Sequence, residues 1–314
     1  MNILKNIIHS LPFMAFLLVC SCTDEMVMEV PEGEIKPVVE AYMTDEVKQH
    51  EVILSYSSEF YSHNMEMITG AEVFVIESRT YQDVLGDTLC YFYEDVDNPG
   101  HYFSDSVAGH KNRWYHLEVR VGKNAMHDTV NMYSDAFMPN NARCIDSVGL
   151  LPLLNDEGIP FVDEEAAVCI CPYFQTLSSA DIIYNVELYL NGRRFKNRPS
   201  KLFQLFQMQG YAGYYFNGPE MLQNNIPIPV GVMNKSYLHE GDVVKVKLYS
   251  ISKDYLYFLV GQKLAIGVNP AMGAFPAITT NIFNRFNPSA IGWFAATSVI
   301  QGEAIYHESM FEQE

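Results

Sequence analysis

The sequence predicts a mainly β protein in which an N-terminal immunoglobulin-like β-sandwich is followed by a second antiparallel β domain with one packed helix. Tyr and Phe are numerous, at 20 and 19 residues, and aromatic side chains favour pleated, half-buried surfaces. Segments in which apolar and polar residues alternate recur along the chain, as in half-buried strands. Hydrophobic residues make up 48% and charged residues 18%, a composition that can build a core and is not that of a disordered chain.

The first element is a secretory signal peptide. Lys5 precedes an apolar run from Leu11 to Val19, which has the layout of a signal peptide and is too short to cross a bilayer. Cys22 follows, with a small residue just before it and aliphatic Val19 three residues before it. This pattern resembles the lipobox of bacterial lipoproteins, which implies that residues 1-21 are removed and that Cys22 carries lipid. An ordinary signal peptide with a chance cysteine is the alternative.

Residues 22-37 are predicted to be a lipidated tether. Pro31, Gly33 and Pro37 stand among acidic residues without any periodicity, as in a linker. The acidic residues directly after Cys22 resemble the signal with which Bacteroidetes send lipoproteins to the outer face of the outer membrane. We therefore expect a lipid-anchored protein of the outer membrane, exposed on the cell surface; a merely solvated tether is the alternative.

Residues 38-139 are predicted to form the immunoglobulin-like sandwich. Apolar and polar residues alternate over 51-56 and over 114-121, and shorter strands are expected at 71-77, 91-93 and 101-103. Turn residues separate them, most clearly at Asp97-Asn98-Pro99-Gly100. Short strands at this spacing indicate the sandwich.

Residues 140-166 are predicted to be an acidic linker or loop, and residues 167-314 to form the second β domain. Strands are expected over 182-190, 242-249 and 291-300, with Asn191-Gly192 as a hairpin turn after the first of them. Ser252 is a suitable N-cap for a helix over 252-264, because apolar residues follow it at helical spacing.

Short phrases along the chain resemble the Bacteroidetes family known as domain of unknown function 4249 (DUF4249). These phrases are Val38-Tyr42, Thr69-Val73, Gly100-Phe103, Gly241-Val246, Ser252-Tyr255, Asn281-Ile282 and Ile291-Phe294. Trp293 replaces the tyrosine that the family more often shows there. The resemblance implies a surface or periplasmic lipoprotein, often encoded beside a TonB-dependent outer-membrane receptor. It carries over no activity and no catalytic residues.

Several classes of function lose their usual support. A formal charge of -18 and a pI near 4.8 disfavour nucleic-acid binding, which requires a basic surface, and they disfavour protein contact with an anionic membrane. The sequence contains no G-x-S-x-G, P-loop, G-x-G-x-x-G or H-E-x-x-H motif. We therefore predict no catalytic residues, no metal site and no cofactor.

Two segments could suggest a metal site. Residues 95-100 are similar to the start of a calcium loop, but Pro99 and Ser106 stand where ligands are required, so a hairpin turn is favoured. His101, Asp105 and His110 could converge on a metal, or could simply lie on a solvated face.

The cysteines left after export are Cys90, Cys144, Cys169 and Cys171. An oxidising compartment permits disulfides, but Cys169 and Cys171 share one face of a strand and are poorly placed to bond each other. Free structural thiols, a single pairing such as one bridge from Cys144, and a metal site all stay open.

The candidate contact surface is an aromatic cluster interleaved with glycines: Tyr211, Tyr214, Tyr215 and Phe216. Large rigid rings can stack on sugars or anchor a partner, although the same rings could fill the second core. The acid-rich segment 156-165 could meet a basic partner or be solvated.

The predicted function is that of a non-enzymatic accessory or binding component of a TonB-dependent nutrient uptake system. Its expected partners are the membrane, through the lipid anchor, and a TonB-dependent receptor; the ligand is left open. A structural or adhesive surface lipoprotein that binds host or neighbouring-cell ligands is the alternative, and an enzyme of unfamiliar type is a third.

Lipidation can be tested by a matched pair of cysteine variants. We expect Cys22→Ser to abolish incorporation of radiolabelled palmitate and to release the protein from the membrane fraction, because the acceptor thiol is lost. Cys20→Ser should be labelled like the wild type, since Cys20 leaves with the signal peptide. Equal labelling of both variants would contradict the assignment of Cys22.

Overall fold

The computed structural model describes residues 34-58, 65-81, 86-122, 129-140, 143-155, 166-175, 182-195, 204-208, 215-216, 230-265, 286-287 and 290-311. The predicted signal peptide, Cys22, most of the tether and the acid-rich segment 156-165 lie outside the described residues. So do Tyr211 and Tyr214 of the predicted contact surface.

Strands dominate the described chain, and one long helix packs on them, which confirms the predicted mainly β fold with a packed helix. The strands are β1 Pro37–Thr44, β2 Glu51–Tyr56, β3 Glu72–Ser78, β4 Asp87–Glu94, β5 His101–Ser104, β6 Arg113–Val121, β7 Val130–Met138, β8 Ser147–Pro152, β9 Ala167–Gln175, β10 Ile182–Leu190, β11 Arg193–Arg194, β12 Gln204–Met208, β13 Tyr215–Phe216, β14 Gly231–Asn234, β15 Val243–Ser250 and β16 Ile291–Ile305. The helix α1 is Lys253–Ala265, and short 3-10 turns occupy Lys235–Tyr237 and Glu308–Phe311.

The strands form two open sheets, an arrangement consistent with a β-sandwich. The large sheet has the order β11-β10-β15-β16-β1-β2-β5-β4-β3-β6-β7, with β12 beside β10. The small sheet has the order β13-β9-β14, with β8 beside β9. Strands from both predicted β domains thus lie in the large sheet, where β16 pairs in parallel with β1.

The first hydrophobic core lies under β1 to β7. Alternate residues of β1, namely Val39, Ala41 and Met43, are buried, because successive side chains of a strand point to opposite faces. Phe294 and Ala296 of β16 belong to the same core. The two β regions therefore share this core, a point that the sequence alone left open.

A second core lies between the small sheet and the other end of the large sheet. It includes Ile170 of β9, Tyr184 of β10 and Val246 of β15, all buried. Residues 167-172 of β9 are all buried, so this strand is covered on both faces, which explains its continuous apolar sequence.

The four described cysteines have free thiols. Cys90, Cys169 and Cys171 are buried and Cys144 is exposed. Burial raises the pKa of the Cys171 thiol to about 12. This thiol is therefore protonated near neutral pH and acts as a small apolar side chain.

The predicted hairpin turn at Asn191-Gly192 is confirmed. Both residues have positive φ, 49° and 76°, as a two-residue hairpin turn requires. The Asn191 side chain donates to Asp242 Oδ1 over 2.8 Å and accepts from the Val243 backbone N–H over 2.9 Å. These bonds tie the turn to the start of β15.

Gly292 allows the close pairing of β16 with β1. Its φ is 117°, and a Cβ at this position would overlap the carbonyl group of Val39.

We expect Gly292→Ala to lower the free energy of unfolding by about 2 to 3 kcal/mol, measured by urea denaturation. Gly122→Ala is the control, because a Cβ there meets nothing within 4 Å; equal stability of the two variants would contradict the pairing.

Candidate functional site

A cleft of about 480 Å³ lies where α1 packs on the outer face of β1, β2 and β16. Ser252 positions the helix, because its Oγ accepts the Tyr255 backbone N–H over 3.2 Å, as predicted for this N-cap. Phe258 and Leu259 are buried against Trp293 and Ala295. The helix thus stands on the sheet with one apolar face and leaves the cleft beside it.

Stacked aromatic rings form one wall of the cleft. Trp293 lies 5.7 Å from Tyr255 and 5.1 Å from Phe258 between ring centroids, with interplanar angles of 23° in both pairs. Tyr42 extends this wall, 6.2 Å from Tyr255, and the hydroxyl groups of Tyr42 and Thr297 are hydrogen-bonded over 2.9 Å. The rings pack against one another, so this wall is in place before a ligand binds.

The opposite wall is polar and comes from β1, β2 and the segment that joins them. It contains Glu40, Lys48, Gln49, His50 and Glu51. Glu51 is bound to the His101 ring over 2.7 Å, and Lys48 to Glu46 over 3.1 Å. Glu40 and Gln49 are exposed at the cleft.

His50 is the buried polar residue of this wall, with 2% of its surface exposed. Its backbone N–H donates to Ser104 Oγ over 2.9 Å, and its Nε2 lies 3.0 Å from the Val107 carbonyl oxygen. A carbonyl oxygen only accepts, so Nε2 carries the proton and Nδ1 has a lone pair. Nδ1 is buried without a hydrogen-bond partner among the described residues. Burial lowers the pKa of His50, which keeps the ring neutral near pH 7.

A polar network supports the strands next to the aromatic wall. The Glu187 carboxylate accepts from the Tyr189 hydroxyl over 2.7 Å and from the Tyr249 hydroxyl over 2.9 Å, and it pairs with Arg194 over 2.7 Å. Burial and the nearby Glu187 charge raise the pKa of Tyr249. The Tyr249 ring lies 6.0 Å from Tyr42, so the network also fixes the edge of the cleft.

The structure does not bring together His101, Asp105 and His110, which the sequence analysis considered as possible metal ligands. His101 binds Glu51, and His110 binds Glu77 over 2.8 Å. The Asp95 carboxylate accepts from the Asp97 backbone and from the Asn98 side chain, which closes a turn. Within the described ranges, no three acidic, His or Cys side chains are grouped to hold a metal ion.

The aromatic cluster predicted as a contact surface is only partly described. Tyr215 and Phe216 form β13, which pairs with Gln175 and Phe174 of β9 in the small sheet. The cleft lies elsewhere, and sequence reasoning missed it. One signal was available: Tyr255 and Phe258 lie three residues apart on the predicted helix, a spacing that places them on one face.

Comparison with known proteins matches residues 23–152 to one family, described as domain of unknown function (DUF4249). The match covers β1 to β8; the phrases from Gly241 onward lie beyond it and stay a resemblance. No curated protein matches the chain. Within the described part of the chain, no helix has the length and apolar character needed to cross a bilayer.

The lowered pKa of His50 predicts a pH-dependent stability. Because the folded pKa lies below the unfolded value of about 6.5, the stabilisation is complete above that value and is lost as pH falls through it toward the folded pKa. We expect the stability advantage of the wild type over His50→Gln, measured by denaturation, to shrink from pH 7.5 to pH 5. A constant difference over this range would show that His50 does not titrate as described.

Proposed function

We propose that this chain, whose residues 23–152 match the DUF4249 family, is an outer-membrane, surface-exposed lipoprotein that binds a nutrient for a TonB-dependent uptake system. In this role the protein is non-enzymatic. Lipid on Cys22 holds it to the membrane, and the folded part captures the ligand and passes it to the receptor.

The cleft beside α1 is the observation that supports a binding role. Its volume of about 480 Å³ falls in the range of about 300 to 1,000 Å³ that is usual for ligand pockets. Its described lining combines aromatic rings with amide and carboxylate groups and one lysine. Such a lining suits a ligand held by both ring contact and hydrogen bonds.

The charge of the chain supports anchoring by lipid. With a formal charge of -18, the protein is repelled by anionic membrane surfaces, and attraction to lipid headgroups requires basic segments. Two or more acyl chains give stable anchoring, because each buried CH₂ contributes about 0.8 kcal/mol.

Exposed tyrosines favour the second candidate, an adhesive surface lipoprotein. Tyr91, Tyr93 and Tyr133 are 48%, 63% and 48% exposed. Tyr91 and Tyr93 are two residues apart on β4 and therefore share a face. Tyr133 lies on the same face, since Tyr91 is opposite Phe74, Phe74 opposite Glu118, and Glu118 opposite Tyr133. Exposed tyrosines of this kind are frequent at protein interfaces.

Purification of the native lipoprotein from outer membranes in mild detergent tests the proposal. We expect a TonB-dependent receptor to co-purify in stoichiometric amount, and protease treatment of intact cells to remove the lipoprotein. The Cys22→Ser variant is the control, because it should reach neither the membrane nor the receptor. Isolation of the wild type alone, together with binding to host glycoproteins, would overturn the uptake role in favour of adhesion.

A further inference from the structure

The cleft continues into a row of side chains across the large sheet. Tyr42 of β1 lies opposite Glu51 of β2, Glu51 opposite Phe103 of β5, and Phe103 opposite Tyr93 of β4. Directly opposed residues share one face of a sheet, and neighbouring strands lie about 4.8 Å apart. The row therefore extends about 14 Å from Tyr42 to Tyr93, a length suited to a linear oligomeric ligand.

The outer end of the row is accessible. Tyr93 is 63% exposed and Phe103 is half-buried. The two aromatic residues are thus available to a ligand that leaves the cleft, with the Glu51–His101 pair between them and Tyr42.

The polar groups of the cleft select against a charged ligand. Lys48 is the one cation among its described lining residues, and Glu46 already pairs with it. An anionic polymer would therefore meet Glu40 and Glu51 with little compensation. A cationic polymer would find the Glu51 carboxylate already engaged by His101, which leaves Glu40 as the one other carboxylate of the described lining.

The same groups suit a ligand rich in hydroxyls. Gln49 and Gln262 line the cleft, and a side-chain amide both donates and accepts. His50 also lines the cleft, but its Nδ1 is buried, so the polar groups that can reach a ligand are the two amides and the exposed Glu40 carboxylate. Tyr42 and Tyr255 offer aromatic surface against which an apolar ring face can pack.

We propose that the cleft and the row from Tyr42 to Tyr93 bind a linear, neutral oligosaccharide. Its sugar rings pack on the aromatic side chains, and its hydroxyls bond to the amides and to Glu40. The inference rests on the proposed binding function and names the class of nutrient.

Tryptophan fluorescence provides a local readout. The chain has two tryptophans, Trp293 in the cleft and Trp114 between Tyr81 and Phe137. The Trp114→Phe variant of the lipidated protein in detergent keeps a ring in that stack and leaves Trp293 as the single emitter. It is titrated with maltohexaose, cellohexaose, xylohexaose and laminarihexaose, and with glucose, hexagalacturonate and chitosan hexaose for comparison.

We expect at least one neutral hexasaccharide to change Trp293 emission saturably, and glucose to bind about tenfold or more weakly, because it reaches only part of the row. Tighter binding of hexagalacturonate or chitosan hexaose than of every neutral chain would overturn the assignment of a neutral ligand. Absence of saturable binding by all four neutral hexasaccharides would overturn the proposal.

Two matched pairs of variants locate the site by calorimetry. Tyr255→Leu should weaken binding about tenfold, the effect of losing one important contact residue, whereas Tyr257→Leu, 51% exposed on the same helix, should not. Tyr93→Ser should weaken binding of the hexasaccharide but not of glucose, and exposed Tyr133→Ser, outside the row, should change neither. Equal effects within each pair would overturn the site even if the protein binds the sugar.

The result is distinct from that of the receptor experiment. Co-purification of a receptor without oligosaccharide binding leaves the uptake role in place and refutes the ligand class. Oligosaccharide binding without a receptor refutes the uptake role and leaves the ligand class.

Discussion

The parallel pairing of β1 with β16 is the interaction on which the rest of the structure depends. Seven residue pairs join the strands, from Val38 opposite Ile291 to Thr44 opposite Thr297. The connection continues past β1, where Asp45 Oδ1 accepts the Val299 backbone N–H over 2.7 Å although the two residues are 254 apart in sequence. One face of the pair brings Phe294 and Ala296 into the first core, and the other places Trp293 beside Glu40 to form the cleft.

This pairing gives the family match a structural meaning. Residues 23–152 supply β1 to β8, but β1 needs β16 as its second neighbour, and the first core takes Phe286, Ala290, Phe294 and Ala296 from beyond the match. The cleft likewise combines β1 and β2 with α1 and β16. Both the core and the candidate site are therefore built from the two halves of the chain.

Local patterns in the sequence predicted much of the fold because they report burial. Alternation predicted β2, β6, β10 and β15, the Asn191-Gly192 turn follows from its need for positive φ, and the Ser252 cap predicted the start of α1. The β1 to β16 pairing could not be predicted in this way, because it joins distant segments and no local pattern encodes a partner. The cleft was missed for the same reason, since Tyr42 and Trp293 meet the helix only through that register.

The stability of residues 23–152 expressed alone tests the central claim, that β16 completes the first core, most directly. Thermal unfolding followed by near-ultraviolet circular dichroism should show no cooperative transition for this fragment, because β1 lacks a neighbour and the core lacks four apolar residues. The same measurement on the full-length protein should show a cooperative transition. A fragment that unfolds cooperatively near the full-length midpoint would contradict the account and show that the N-terminal half closes its own core.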